Sequence, residues 1–134
     1  MFLEILKMVS EATSIPLSTF VDTKKYSDTE GKRMRNVFDF TIENANQKIS
    51  LDHISNVANM TKNAFCKYFK KRTNKTYISF LTELRIENAC KLLKSDQDVS
   101  INEIAYKVGF NNISNFNRKF KEGKKVTPIS YRNL

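Results

Sequence analysis

The chain has 134 residues, enough for one domain with a real core or two very small ones. Lys and Arg outnumber Asp and Glu by 23 to 14, for a net charge of +9, and only three Gly and two Pro interrupt a Lys-, Leu-, Glu- and Ala-bearing composition that leans towards helix. No stretch of about 18 apolar residues occurs, which excludes a helical membrane span; the single histidine, His53, excludes a His-based metal cluster and a Ser/Cys–His catalytic pair, and there is no Gly-rich phosphate loop, so the sequence predicts neither an enzyme nor a bound cofactor or metal.

The first predicted element is a short amphipathic helix within residues 1–12, where Phe2, Ile5, Leu6 and Val9 fall at helical spacing. Its acids and the lack of a basic leader make it a poor signal peptide. Residues 16–31, "PLSTFVDTKKYSDTEG", carry turn formers without a sustained period and read as a linker. The predicted layout is therefore residues 1–30 as helix and linker and residues 31–134 as the folded domain. Charge follows the same division: residues 1–30 hold three basic and five acidic residues, a balance of −2, and residues 31–134 hold 20 basic and nine acidic, a balance of +11. Such a surplus points to a polyanionic partner.

From about Lys32 a helical period sets in, with Val37, Ile42, Ala45 and Ile49 in or just after the first long helix. A repeat follows. "SLDHISNVANMTKNAFCKYFKK" begins at Ser50 and "SINEIAYKVGFNNISNFNRKFKE" at Ser100. At an offset of 50, Leu51, Ile54, Ser55, Ala58, Asn59 and Met60 match Ile101, Ile104, Ala105, Val108, Gly109 and Phe110. One inserted residue moves the offset to 51, and Phe65, Lys67, Phe69 and Lys70 then match Phe116, Arg118, Phe120 and Lys121. The agreement extends from Thr76, Ile78, Ser79 and Phe80 to Thr127, Ile129, Ser130 and Tyr131. Internal duplication explains it.

Each copy spells helix, tight turn, helix. Ser100 with Glu103 forms a capping box, and Ser50 with His53 a weaker version. Asn59 and Gly109 stand where the first helix must end, and Gly, then Asn, enter the left-handed conformation at least cost. Thr61, and Asn111 or Asn112, can cap the second helix. The predicted units span about residues 50–72 and 100–122. Between them "TYISFLTELRIENACKLLKS" predicts a linking helix at about 76–94, which at about 1.5 Å per residue is roughly 28 Å long. That is near the roughly 34 Å between major-groove faces one turn apart on a duplex.

The second helix of each unit has two edges. Stepping about 100° per residue, Phe116, Phe120 and Ile113 share one edge; Ser114, Arg118 and Lys121 lie opposite, with Asn115 to the side. In the first copy Phe65, Phe69 and the Lys62 stem point inward, Asn63, Lys67 and Lys70 outward, and Cys66 to one side. The aromatic residues, Phe110 included, read as core rather than base-stacking platforms. The outward edges suit a major groove, since Arg can bond guanine bidentately, Asn adenine, and Lys guanine or phosphate. The predicted base contacts are Asn63, Cys66, Lys67, Ser114, Asn115 and Arg118. The predicted phosphate contacts are Lys62, Lys70, Lys71, Arg72, Lys121 and Lys124. Cys66 either meets a thymine methyl or flanks the interface. Cys90 reads as a small core residue, and both cysteines as reduced thiols of a cytoplasmic protein. Arg85, on an apolar stripe, is assigned an ion pair with Glu103 or Asp52, and His53 a place on the surface.

These residues closely resemble the DNA-binding domain of the AraC/XylS family of bacterial transcription regulators. The resemblance covers about residues 31–134 and is carried by I-x-E-I-A from Ile101, G-F at Gly109, S-x-F-x-R-x-F-K from Ser114 and P-x-x-Y-R from Pro128. It implies an all-α fold of about seven helices, with two helix-turn-helix units joined by a long helix and both recognition helices inserted into adjacent major-groove segments of double-stranded DNA. It implies base reading by Asn63, Cys66 and Lys67 and by Ile113, Ser114, Asn115 and Arg118; the two-edge pattern supports these apart from Ile113, and Cys66 only marginally. It further implies RNA polymerase as a partner and a sensing domain ahead of residue 31, with residues 1–12 a remnant of that sensor or a self-association helix. The sequence departs from the family at Asn74 and Lys125, where Gly is usual, with Gly123 a candidate to shift the second bend, and at Tyr77, where Pro is usual. A non-specific nucleic-acid binder, and an interaction module or membrane-surface binder, are the rival readings of the same basic helices.

Overall fold

The computed structural model describes residues 28–134. Seven helices and no strand occur among them: α1 (Asp28–Asn44), α2 (Leu51–Val57), α3 (Lys62–Thr73), α4 (Tyr77–Ser95), α5 (Ile101–Lys107), α6 (Ile113–Lys124) and α7 (Pro128–Arg132). The expected helix and most of the linker ahead of residue 28 lie outside the described residues. α1 begins inside the stretch read as linker, because no proline follows Pro16 there and the one glycine, Gly31, is accommodated within the helix.

Six helices are opened by a hydroxyl or amide side chain that accepts an orphan backbone N–H, as capping predicts. Ser50 accepts from His53 N, Thr61 from Ala64 N, Thr76 from Ser79 N, Ser100 from Glu103 N, Asn112 from Asn115 N and Thr127 from Ser130 N. The second recognition-helix cap is thus Asn112, not Asn111. The turns repeat bond for bond. After α2, Asn59 takes φ +58° and Met60 N donates to Ser55 O at 2.9 Å; after α5, Gly109 takes φ +113° and Phe110 N donates to Ala105 O at 3.0 Å. This is the backbone closure that a left-handed residue permits at a helix end. After α3 and α6 the left-handed residues are Asn74 (φ +61°) and Lys125 (φ +68°), whose N–H groups reach Lys70 O at 2.8 Å and Lys121 O at 2.9 Å. Gly123 does not shift the second bend. It stays helical, and the lysine itself bears the left-handed strain.

α4 is shared by two cores. Tyr77, Phe80, Leu81 and Leu84 from its first half join Met34, Val37, Phe38, Ile54, Phe65 and Phe69. Ile86, Ala89, Cys90 and Leu93 from its second half join Ile104, Val108, Phe110, Phe116 and Phe120. The first core is strongly aromatic: the Phe69 ring meets Phe38 at 6.2 Å, Tyr77 at 5.4 Å and Phe80 at 5.6 Å between centroids, in edge-on or tilted contacts that add to the burial itself. Tyr77 fills the place of the usual proline as a core residue, and its hydroxyl lies 2.7 Å from the buried Thr41 Oγ1, which itself donates to Val37 O.

Arg85 is corrected by the structure. It pairs with neither Glu103 nor Asp52. Its Nε donates to Ala45 O and one terminal nitrogen to Gln47 O, each at 2.7 Å. The carbonyl end of α1 carries unsatisfied acceptors and the negative pole of the helix, and a guanidinium serves both. Arg132 does the same further on, donating to Leu93 O in the last turn of α4 and to Asp96 O and Val99 O beyond it.

Candidate nucleic-acid interface

The α3 ridge stands on Phe65 and Phe69, both fully buried, and presents Asn63, Lys67 and Lys70 to solvent. Cys66 is half-buried at its flank. α6 repeats the arrangement, with Phe116 and Phe120 buried behind exposed Ser114, Arg118 and Lys121. Ile113 is half-buried and packs against the second core, which accounts for its not sharing the outward edge.

Arg118 is held by its own helix. One terminal nitrogen donates to Asn115 Oδ1 at 2.8 Å and the other lies 3.5 Å from Glu122, which also meets Lys119 at 3.7 Å. Asn115 is accordingly half-buried rather than open. Exposed pairs of this kind are weak, so the clasp orients the guanidinium at little cost to its release. α3 carries no acid, which leaves the first ridge the more cationic of the two.

The expected phosphate contacts divide. Lys70, Lys71 and Lys121 are exposed. Lys62 does not tuck its stem inward; it is exposed and meets Asp52 at 3.6 Å. Arg72 is half-buried on the α1 side of α3, its guanidinium 4.8 Å from the Tyr68 ring centroid, with Arg33 on the same ring at 6.0 Å. Lys124 forms an ion pair with Glu87 of α4, with its side chain 23% exposed. The fold therefore does not bring Arg72 and Lys124 to the ridges: Arg72 is turned onto Tyr68, one turn back on its own helix, and Lys124 is drawn to Glu87 of α4.

Two residues escaped the sequence reading. Ile78 and Ile129, 48% and 60% exposed, stand near the start of the helix that follows each recognition helix. Ile129 lines an open groove of about 820 Å³ beside the α6 ridge, with Ile101, Pro128, Arg118 and Lys121. Their match at an offset of 51 was the available signal.

Among ionisable groups, burial pushes the Tyr77 hydroxyl up to about 12 and the Cys90 thiol up to about 11, so both stay neutral at ordinary pH. None of the described helices is long and apolar enough to cross a membrane.

Two helix-turn-helix units sharing one long helix, each with a polar, cationic ridge backed by phenylalanine, define a bipartite helix-turn-helix domain of the DNA-binding class. A family model described as "Helix-turn-helix domain" matches residues 54–134, and the chain belongs to this family, in its AraC/XylS type. The chain is 33% identical over 88 residues to the uncharacterized HTH-type transcriptional regulator YdeC of Bacillus subtilis, an alignment covering 66% of this chain and 30% of YdeC. It is 38% identical over 89 residues to the transposon Tn10 TetD protein of Escherichia coli, covering 66% of this chain and 64% of TetD. The chain thus spans under two thirds of the length of either relative. The DNA-binding domain of AdpA, solved in complex with a target DNA, superposes with a TM-score of 0.71 at 22% identity, over 75% of this chain and 90% of that one, and so shares the fold.

Proposed function

We propose that the chain is a sequence-specific double-stranded DNA-binding regulator of transcription that inserts α3 and α6 into adjacent major-groove segments. The observation that carries this is the paired geometry: two turns closed by the same backbone bonds, each presenting exposed donors on one edge and buried rings on the other. Asn63, Lys67, Ser114 and Arg118 read base edges, with Cys66 and Asn115 at the flanks of the two ridges. Lys62, Lys70, Lys71 and Lys121 hold the phosphate backbone. Ile78 and Ile129 add apolar contact of the kind that suits a thymine methyl or a sugar face. The solved DNA complex of AdpA, a protein with this fold, supports the reading. As part of the same proposal we infer regulation through RNA polymerase and by a sensing domain on a longer chain, a reading that family membership supports.

Selection of bound sequences from a random duplex pool tests it. The expected result is a consensus of about 20 base pairs with two separated boxes. Arg118→Ala then lowers affinity for the selected site by about 1–3 kcal/mol and relaxes one position of one box. Equal weakening on selected and random duplex overturns specific reading by Arg118, and affinity for duplex no greater than for heparin favours a general polyanion-binding module.

A further inference from the structure

The duplication is not symmetric at its turns, and the asymmetry marks a joint. The turn of the first unit uses Asn59, exposed and at φ +58°; the matching residue in the second is Gly109 at φ +113°. A Cβ at 109 would lie 2.6 Å from Ala45 O and 2.6 Å from Arg85 Nε, closer than such atoms approach. The glycine is required because the turn of the second unit is pressed against the carbonyl end of α1, which belongs to the first. Arg85 sits within this contact and closes it from α4, donating to both Ala45 O and Gln47 O.

The position of Arg85 along α4 matters as much as its partners. It follows Leu84, the last α4 residue in the first core, and precedes Ile86, the first in the second core. A single helix would leave the two heads free to bend and twist about its middle. The Arg85 joint is a second attachment at that midpoint, 38 to 40 residues away in sequence from the carbonyls it holds. Burial makes the charge of Arg85 costlier, and the paired carbonyl dipoles are what offset it.

We propose that Arg85, clamped between the end of α1 and the Gly109 turn, is a positioning residue that fixes the separation and phase at which the two heads meet DNA. The inference rests on the two-head reading above. Its test compares the chain with Arg85→Met, which keeps the stem and loses every donor, and with Arg85→Lys, which can reach one carbonyl but not both. Binding is measured on the selected site and on the same site with one base pair added or removed between the boxes. The expected result is that Arg85→Met loses about three- to thirtyfold of the discrimination between correct and altered spacing, with Arg85→Lys in between. Equal loss of affinity at every spacing, with discrimination intact, overturns the proposal and leaves Arg85 a general stabiliser.

A second readout does not involve DNA. With Cys66→Ser, spin labels on cysteines placed at the exposed Ala64 and Asn117 report the distance between heads. The distribution broadens in Arg85→Met while the helical content is retained. An unchanged distribution overturns the joint. Absence of any two-box site in the selection would instead overturn the functional reading, and the label distances would still decide the joint.

Discussion

Lys125 carries the costliest backbone conformation in the second unit. A residue with a Cβ in the left-handed region costs about 1–2 kcal/mol relative to glycine, and the equivalent Asn74 bears a smaller penalty. Lys125→Gly is therefore expected to raise stability by about 1 kcal/mol, offset in part by the added freedom of the unfolded chain, and to raise the melting temperature without altering DNA affinity. Cys90 gives a pH test. Its thiol is neutral and buried, with its pKa raised from 9.0 to about 11. The unfolded thiol ionises first, so this residue's contribution is fully present below pH 9 and is lost as pH rises towards 11. Denaturant titrations across that window should show the chain losing more stability than Cys90→Ala does, each relative to its own value at pH 8. Single residues also mark the limit of what sequence alone conveys. The burial of the five recognition-unit phenylalanines and the outward turn of Lys67 and Arg118 were legible, because helical spacing fixes both. The partners of Arg85 were not: two carbonyls some 40 residues away leave no trace in side-chain pattern. Lys124 was hidden for the same reason, held by Glu87 of a neighbouring helix that periodicity does not reveal, whereas Arg72 turns onto Tyr68 four residues back on its own helix.

The two recognition helices depend on their starts. Thr61 and Asn112 each satisfy an N–H in the first turn, at 3.2 and 2.7 Å, and so fix the start of the helix at Asn63 and Ser114, two residues on. Thr61→Ala and Asn112→Ala should each cost about 1 kcal/mol of stability, read as a lower midpoint in urea. If capping also sets the ridge, affinity should fall by more than the unfolded fraction explains. Gly123→Ala should act in the opposite sense. The site is exposed and helical with nothing within 4 Å of an added Cβ, so α6 gains about 0.5–1 kcal/mol. Both turns of the repeat were legible because caps and left-handed residues are written in particular side chains. The start of α1 was not, since the residues before Lys32 have no sustained apolar period, and a helix can begin there without one.

The whole domain joins two small cores through one helix, and of its two ridge helices α3, with five basic residues and no acid, is more cationic than α6, with four and one. Lys70→Ala should weaken binding to every duplex alike and lower the slope of affinity against salt by about one, whereas Ser114 and Arg118 substitutions should change which sequence is preferred. The halving of α4 between the cores has a mechanical consequence. One residue inserted after Leu84 would turn the second recognition helix by about 100° and advance it by about 1.5 Å. A base pair inserted in the operator rotates its far box by about 34°. One inserted residue nearly matches the rotation of three base pairs, about 102°, but advances about 1.5 Å against their roughly 10 Å, so drift in operator length finds no matching insertion in α4. Binding sites that diverge in this way have to be met by bending of the DNA.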